Sequence, residues 1–339
     1  MNIRANADVS GLLREIQRAA MLKKIIIAWV GKLVIAVCRP FPSVRRFCAR
    51  AGITPAHFGN RAVRLPIPRH SKSILMTGAA TNHLPFRLFW SGTDYYEPFT
   101  RTVIEMLTAS SEVFIDVGAN TGFFSLVAAT LNPRLALIAF EPNPTMFRML
   151  CENKRINRLS NLTSEPLALS NAEGETQLFL SDSDMSASLI PDFQKAADSS
   201  SVSVPVKRTT LDHYVQRLGL HGSIVIKVDV EGHEKAVLEG AASTISNLRP
   251  DFVIEVLGDF DSSLLDQFRL QGYRFYKITH QGLIESDAVI LTKIGDFFFF
   301  NYLFTTRPVG DIGAISENIR QRASGINLYH TSKFATHLT

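Results

Sequence analysis

Residues 113–122 read VFIDVGANTG and run directly into FFSLVAATL, which ends at Leu131. The Val/Ile/Phe-rich start predicts a short buried strand with Asp116 near its end, and the apolar stretch after Gly122 predicts a helix. Between them Gly118 and Gly122 mark a tight turn. Glycines there let backbone come within contact of a ligand, and the start of the following helix offers free N–H groups. A nucleotide-like cofactor fits that arrangement; its bland counterpart is a tight βα turn that holds nothing.

Working outward, further short apolar runs alternate with amphipathic stretches, which predicts βαβ units and a mostly parallel sheet covered on both faces. The strand candidates are 113–117, 135–140, 161–169, 224–230 and 252–257, with 273–278 and 297–303 as closing strands. Helical patterns fall at 122–131, 144–157, 210–218 and 233–247, and 174–180 with 202–207 suggests an added antiparallel pair. The polar stretch 181–201 reads as a loop near the ligand, and 304–339, with no strong period, as a loosely packed tail.

The 339 residues, 46% hydrophobic and 20% charged, exclude a disordered or collagen-like chain and suffice for a large core. Cys38, Cys48 and Cys151 are too few and too scattered for a disulfide framework, which favours a reducing, cytoplasmic setting. Charge is uneven. Residues 1–72 hold 14 Lys/Arg against only Asp8 and Glu15, a balance of +12, so the rest carries −7 of the net +5. Positive charge confined to one terminal segment is not the footprint of a nucleic-acid binder.

Within that segment Ile25–Cys38 has 12 apolar residues in 14, interrupted by Gly31 and Lys32. About 20 are needed to span a bilayer. The run therefore reads as a helix packed on the main domain. Its alternative is a peripheral membrane contact through residues 23–50, with Lys23, Lys24, Arg39, Arg45, Arg46 and Arg50 facing anionic lipid; a true anchor is the least supported. Three parts are expected: a basic extension over 1–72, a catalytic domain over 73–303 with its core at 95–257, and the tail 304–339.

Two nucleotide uses are separable. A dinucleotide fingerprint, GxGxxG, has its second glycine where this turn has Asn120, so a pyrophosphate would be crowded. S-adenosylmethionine, with an ammonium, a carboxylate and a ribose, suits Asp116 and Asn120 better. The next strand ends in FEPNP, and Glu141, 19 residues past Gly122, stands where an acid can accept ribose hydroxyls. Its other reading is an acid at the start of the helix that follows Asn143.

The block IVIKVDVEGHE, residues 224–234, sets Lys227, Asp229 and Glu231 on one side of a strand end. Such charges need partners if buried, and in an open α/β sheet this end faces the ligand crevice. Asp229 is the first candidate for orienting a hydroxyl acceptor or taking its proton, with His233 second. The bland reading is an ion pair between Lys227 and Asp229 or Glu231. Two carboxylates with no histidine ligand make a weak metal signal, so no metal is assigned. Glu255, in FVIEVL, is a candidate to join this cluster.

Together DVGANTG, FEPNP, Asn153 and Asn157, KVDVEGHE and RPDFVIEV resemble the FkbM family of S-adenosylmethionine-dependent methyltransferases over residues 95–257; Tyr96-Glu97-Pro98 and Thr210-Leu211-Asp212 are also similar to its pattern. The resemblance implies a class I, Rossmann-like α/β fold with a seven-stranded sheet, and O-methylation of a sugar, polyketide or other hydroxylated metabolite. It implies cofactor contacts at Asp116, Gly118, Asn120, Gly122 and Glu141, with Asn143 and 167–170 near the adenine. His213 and His233 depart from the family pattern. Competing readings are an NAD-dependent oxidoreductase, disfavoured by Asn120, and an inactive methyltransferase-like module tethered by its basic N-terminus.

Overall fold

The computed structural model describes residues 62–77, 83–180, 187–189, 202–257, 262–290, 292–294 and 297–326. The apolar run 25–38, the three-way reading of residues 1–50 and most of 181–201 lie outside them. Among the described residues no helix is long and apolar enough to cross a membrane.

The chain divides into two compact units, Met1–Leu65 with Met76–Gly92, and Pro66–Leu75 with Thr93–Thr339. Strands β1 (Ala62–Pro66) and β2 (Ser73–Thr77) lie at the division. The first unit contains helix α1 (His83–Ser91), where Phe89 and Trp90 are buried and pack edge to face, 4.9 Å apart.

The second unit opens with α2 (Pro98–Ala109) and then β3 (Val113–Val117), α3 (Phe123–Leu131), β4 (Ala136–Phe140), α4 (Pro144–Asn157) and β5 (Leu162–Glu165). Short β6 (Leu167–Leu169), β7 (Gly174–Leu180), β8 (Ala187–Ser188) and β9 (Val202–Thr209) form a separate sheet in the order β6-β9-β7-β8. Next come α5 (Leu211–Leu218), β10 (Ile224–Val228), α6 (Glu234–Glu239), α7 (Ala242–Leu248), β11 (Asp251–Glu255) and α8 (Ser262–Leu270). The chain closes with β12 (Arg274–Thr279), β13 (Gly282–Glu285), the hairpin β14 (Thr292–Ile294) and β15 (Phe297–Phe299), then β16 (Asn301–Thr305) and α9 (Val309–Ala323).

The main sheet has the order β13-β12-β16-β11-β10-β3-β4-β5. Strands β5, β4, β3, β10 and β11 are mutually parallel, and β16 is antiparallel to both β11 and β12. This is the class I Rossmann-like α/β fold. The expected seven strands are present, and β13 adds an eighth at the edge by folding back on β12 through Gly282. Two runs read as single strands are divided: Pro166 separates β5 from β6, and 297–303 splits at Phe300 into β15 and β16, which belong to different sheets.

Alternation along the strands decides which residues reach the site. Ile115 and Val117, Ile226 and Val228, and Phe252 and Ile254 enter one core with Tyr214, Val237, Leu238 and Phe268. The intervening positions, Asp116, Lys227 and Glu255, face the opposite side, where Phe124 of α3 lies under the Lys227 ammonium, 4.8 Å from its ring centre. Polar residues on that face therefore converge at the C-terminal ends of adjacent strands.

Residues 309–323, read as part of a tail, instead form α9, with Ile312, Ile315, Ile319 and Arg322 buried. Arg322 bonds Asp94, Thr102 and Glu105 at 2.9–3.2 Å, fastening α9 to α2 and the turn before it. Gly310 and Gly313 thin the apolar stripe of this helix, which hides its period.

Candidate active site

The turn 118–122 has positive φ at Gly118 (78°), Asn120 (51°) and Gly122 (88°). Its N–H groups at Gly118 and Ala119 both bond the Phe140 carbonyl, at 3.0 and 2.9 Å. Glycine is required at 118 and 122 by the protein's own packing. A Cβ on residue 118 would overlap the Asp229 carbonyl, and one on 122 would stand 2.5 Å from Leu150. Close backbone approach is expected to serve a ligand; what the structure shows is two neighbouring segments closing on the turn. Gly122 provides no side-chain cap to α3, while the Ser125 N–H in its first turn bonds the Asp116 carboxyl.

Glu141, buried at 6% exposure, accepts the Asn120 N–H at 2.6 Å through Oε2 and the Asn143 N–H at 2.8 Å through Oε1. Burial pushes its carboxyl up to about 7, opposed by those two backbone bonds and reinforced by Asp116 and Asp229. Each oxygen keeps a second lone pair for further donors. Asn143 caps α4, accepting from Thr145 and Met146. Asn153, fully buried, donates to the Thr121 carbonyl at 2.8 Å, and Asn157 exchanges two bonds with the Leu75 backbone. Those asparagines hold the turn and the segment beside it.

Asp116, 1% exposed, accepts the Ser125 hydroxyl at 2.5 Å through Oδ2. Its Oδ1 is buried with no hydrogen-bond partner among the described residues. Burial raises its pKa, against the pull of Lys227. An unsatisfied buried carboxylate oxygen is costly, and a cationic ligand group would relieve it.

Lys227 pairs with Asp116 in register across β10 and β3, and its Nζ lies 2.6 Å from Asp229 Oδ2. Burial works against the ammonium, yet the carboxylates of Asp229, Asp116 and Glu97 more than compensate and raise its pKa. Asp229 is lowered: burial opposes the charge, but Lys227 and a hydrogen bond from Glu255 prevail. Glu255 goes well above the ordinary range through burial and the facing charges of Asp229 and Glu231. The ion pair anticipated for Lys227 is thus present, within a larger carboxylate group.

Sequence reasoning missed one wall of this group. Glu97, left-handed at φ 39°, precedes Pro98 at the start of α2. It takes hydrogen bonds from Tyr96, Thr100 and Asn301, the last at 3.2 Å. Burial brings it to about 7, with Lys227 lowering and Asp229 raising it. The Tyr96 ring packs on Phe123 and Phe124 at the start of α3. The only sequence signal was the YEP triplet, since Glu97 and Asn301 stand 204 residues apart.

The remaining candidates separate. Glu231 is left-handed at φ 54°, and its carbonyl accepts the Ser188 hydroxyl at 2.8 Å. His233 bonds the Ser170 hydroxyl at 3.0 Å and has its pKa lowered by burial and Arg208. His213 pairs with Glu173 on the surface. Among the described residues no group of three or more His, Cys, Asp or Glu is placed to hold a metal.

Residues 116–275 match the methyltransferase FkbM domain. The chain is 25% identical to 2-O-methyltransferase NoeI of Sinorhizobium fredii, covering 44% of this chain and 65% of NoeI. It is 30% identical to hexuronic acid methyltransferase AglP of Haloferax volcanii, covering 45% of this chain and 59% of AglP. The crystal structure of methyltransferase FkbM from Methylobacillus flagellatus aligns at 17% identity and a TM-score of 0.37, covering 57% of this chain and 43% of that one. The chain spans less than two thirds of each of these three proteins. From Asp116 to Phe275 the chain carries a domain of the FkbM family of S-adenosylmethionine-dependent methyltransferases.

Proposed function

We propose that this protein methylates a hydroxyl oxygen of a sugar or other hydroxylated metabolite. The observation that carries this reading is the grouping of Asp229, Lys227 and Glu255 at the strand ends with Glu97 at the start of α2, beside the 118–122 turn. Such a group can orient a hydroxyl and receive its proton. The relatives support it in name: one is a 2-O-methyltransferase and another acts on a hexuronic acid.

S-adenosylmethionine supplies a methyl group on a positively charged sulfur, whose carbon–sulfur bond breaks with its electron pair left on sulfur. The residues present fit that molecule. The unpartnered Asp116 Oδ1 suits an ammonium, the start of α3, where Gly122 brings no side-chain cap, suits a carboxylate, and the spare lone pairs of Glu141 suit ribose hydroxyls. Asn120, Gly118 and Gly122 shape the turn, and Asn143 anchors Glu141 from the far side. Asp229, held by Lys227, orients the acceptor hydroxyl, so alignment supplies much of the acceleration. Glu231 fixes the loop beyond it. His233, bonded to Ser170, belongs to the wall at the end of β6.

Calorimetry with S-adenosylhomocysteine tests the binding half. Saturable binding that falls at least about tenfold in Glu141→Ala is expected, equivalent to about 1.4 kcal/mol; no binding, or an unaffected variant, refutes it. Transfer of labelled methyl to neutral methyl glycosides, located on oxygen by mass spectrometry, tests the other half. Label found only on nitrogen or carbon defeats the hydroxyl reading.

A further inference from the structure

Among the four carboxylates near Lys227, only one is well placed to accept a proton. Asp229 has the ammonium 2.6 Å away and also accepts from Glu255, so its charge is already satisfied by a cation and an acid. Glu255 keeps its own proton and spends it on Asp229. Asp116 is 1% exposed and bonded to Ser125 behind the turn. Glu97 differs in position and in partners. It reaches the group from the start of α2 rather than from a strand, and its hydrogen-bond donors are the neutral Tyr96, Thr100 and Asn301.

We propose that Glu97 takes the proton of the acceptor hydroxyl, while the Lys227–Asp229 pair orients that hydroxyl and Asn301 and Tyr96 position the Glu97 carboxylate. This rests on the O-methyltransferase reading above. The acceptor's O–H bond breaks, its proton passes to a Glu97 oxygen, and the electron pair of that bond becomes the new oxygen–carbon bond to the donated methyl. The carbon–sulfur pair stays with the departing sulfide. Charge balances: one carboxylate and one sulfonium are consumed, leaving a neutral acid and a neutral thioether.

The surroundings suit a base that cycles near neutrality. Lys227 faces Glu97 from β10 and Asp229 from just beyond its end, Glu255 from β11 and Tyr96 from the adjoining turn. Burial and Asp229 make the Glu97 anion less stable than an ordinary glutamate, with Lys227 opposing, which places its titration at about 7. A general base works best when its pKa lies near the operating pH. Protonation of Glu97 also relieves its repulsion with Asp229.

The full chain, labelled S-adenosylmethionine and a panel of methyl glycosides provide the test. In Glu97→Gln, S-adenosylhomocysteine should bind within about threefold of wild type while methyl transfer falls by ~100-fold or more. The acid limb of the wild-type rate profile near pH 7 should vanish from the residual activity. Glu97→Asp should restore part of the rate with a displaced limb. A Glu97→Gln rate within about tenfold of wild type, or an unchanged acid limb, overturns the proposal.

Carbon NMR of carboxyl-labelled glutamate in the wild-type chain, bound to S-adenosylhomocysteine, decides the matter independently. The resonance missing from Glu97→Gln, or displaced in Glu97→Asp if the glutamine variant does not fold, should titrate near neutrality. A midpoint in the ordinary glutamate range overturns the proposal. Failure of wild type to methylate any glycoside counts against the sugar reading and leaves Glu97 to this second measurement.

Discussion

The carbonyl of Asp229 closes against the α-carbon of Gly118, so the glycine turn and the end of β10 share a boundary with no room for a methyl group. Gly118 also has φ 78°, which L-side chains rarely adopt. Gly118→Ala is expected to cost at least about 2 kcal/mol in urea unfolding, because clash and backbone strain add. It should also displace Asp229 and weaken S-adenosylhomocysteine binding. A variant of wild-type stability would show that the two segments part freely.

Lys227 is the cation that Asp229, Asp116 and Glu97 surround. Lys227→Met leaves buried carboxylates without their counter-charge and should destabilise the fold by about 3–5 kcal/mol. Lys227→Met combined with Asp229→Asn should recover part of that loss, which a double-mutant cycle from denaturation midpoints measures. Additive losses would mean that the two side chains contribute independently.

Stability should fall as pH rises from about 4.5 to about 7. Glu97, Glu105 and Glu141 each stand near 7 through burial, so each holds its proton more tightly folded than unfolded. The stabilisation from each is complete below the ordinary glutamate value and is lost as pH climbs through the folded one. Asp229, shifted downward, acts in the opposite sense only as pH falls below its ordinary value of 3.8, while the lowered His70, His233 and His280 add an opposing rise as pH climbs to their ordinary 6.5, so the net decline is that of the glutamates less this rise. Urea midpoints across pH 4.5 to 8 should show the decline, and Glu105→Gln should flatten part of it. An equally steep decline in that variant would remove Glu105 from the account.

Arg322, 4% exposed, ties α9 to Asp94, Thr102 and Glu105. Arg322→Met should cost about 1–3 kcal/mol by removing its bonds to these groups, since Arg101 still pairs with Asp94 and Glu105. Amide exchange should then quicken first in α9 and next in α2, whose start carries Glu97. Uniform exchange across the sheet would show instead that α9 is not a separately unlocking element.

The parts legible in the sequence were those whose determinants are local. Asn143 followed by Pro144 fixes the start of α4, and its predicted span, 144–157, is the observed one. The strand, turn and helix from 113 to 131 were equally readable, because a buried strand and two glycines speak for themselves. Strand alternation offered Lys227 either Asp229 or Glu231 as its partner, and Asp229 is the one that pairs with it. What escaped was set by distant partners. Glu97 joins the site because β16 brings Asn301 beside it, and no pattern around residue 97 encodes that. Glu231 was expected beside Asp229 on the strand, but β10 ends at Val228 and a left-handed residue turns the chain there. Phe297–Leu303 looked like one apolar run because composition cannot tell which sheet a strand will join.

Glu141 holds the amides of Asn120 and Asn143 with one oxygen each, so two segments more than twenty residues apart hang from a single hinge pin. A disturbance entering at either one is handed to the other without passing through the hydrophobic interior. For anyone redesigning this protein, the two loops are one mechanical part and must be rebuilt together.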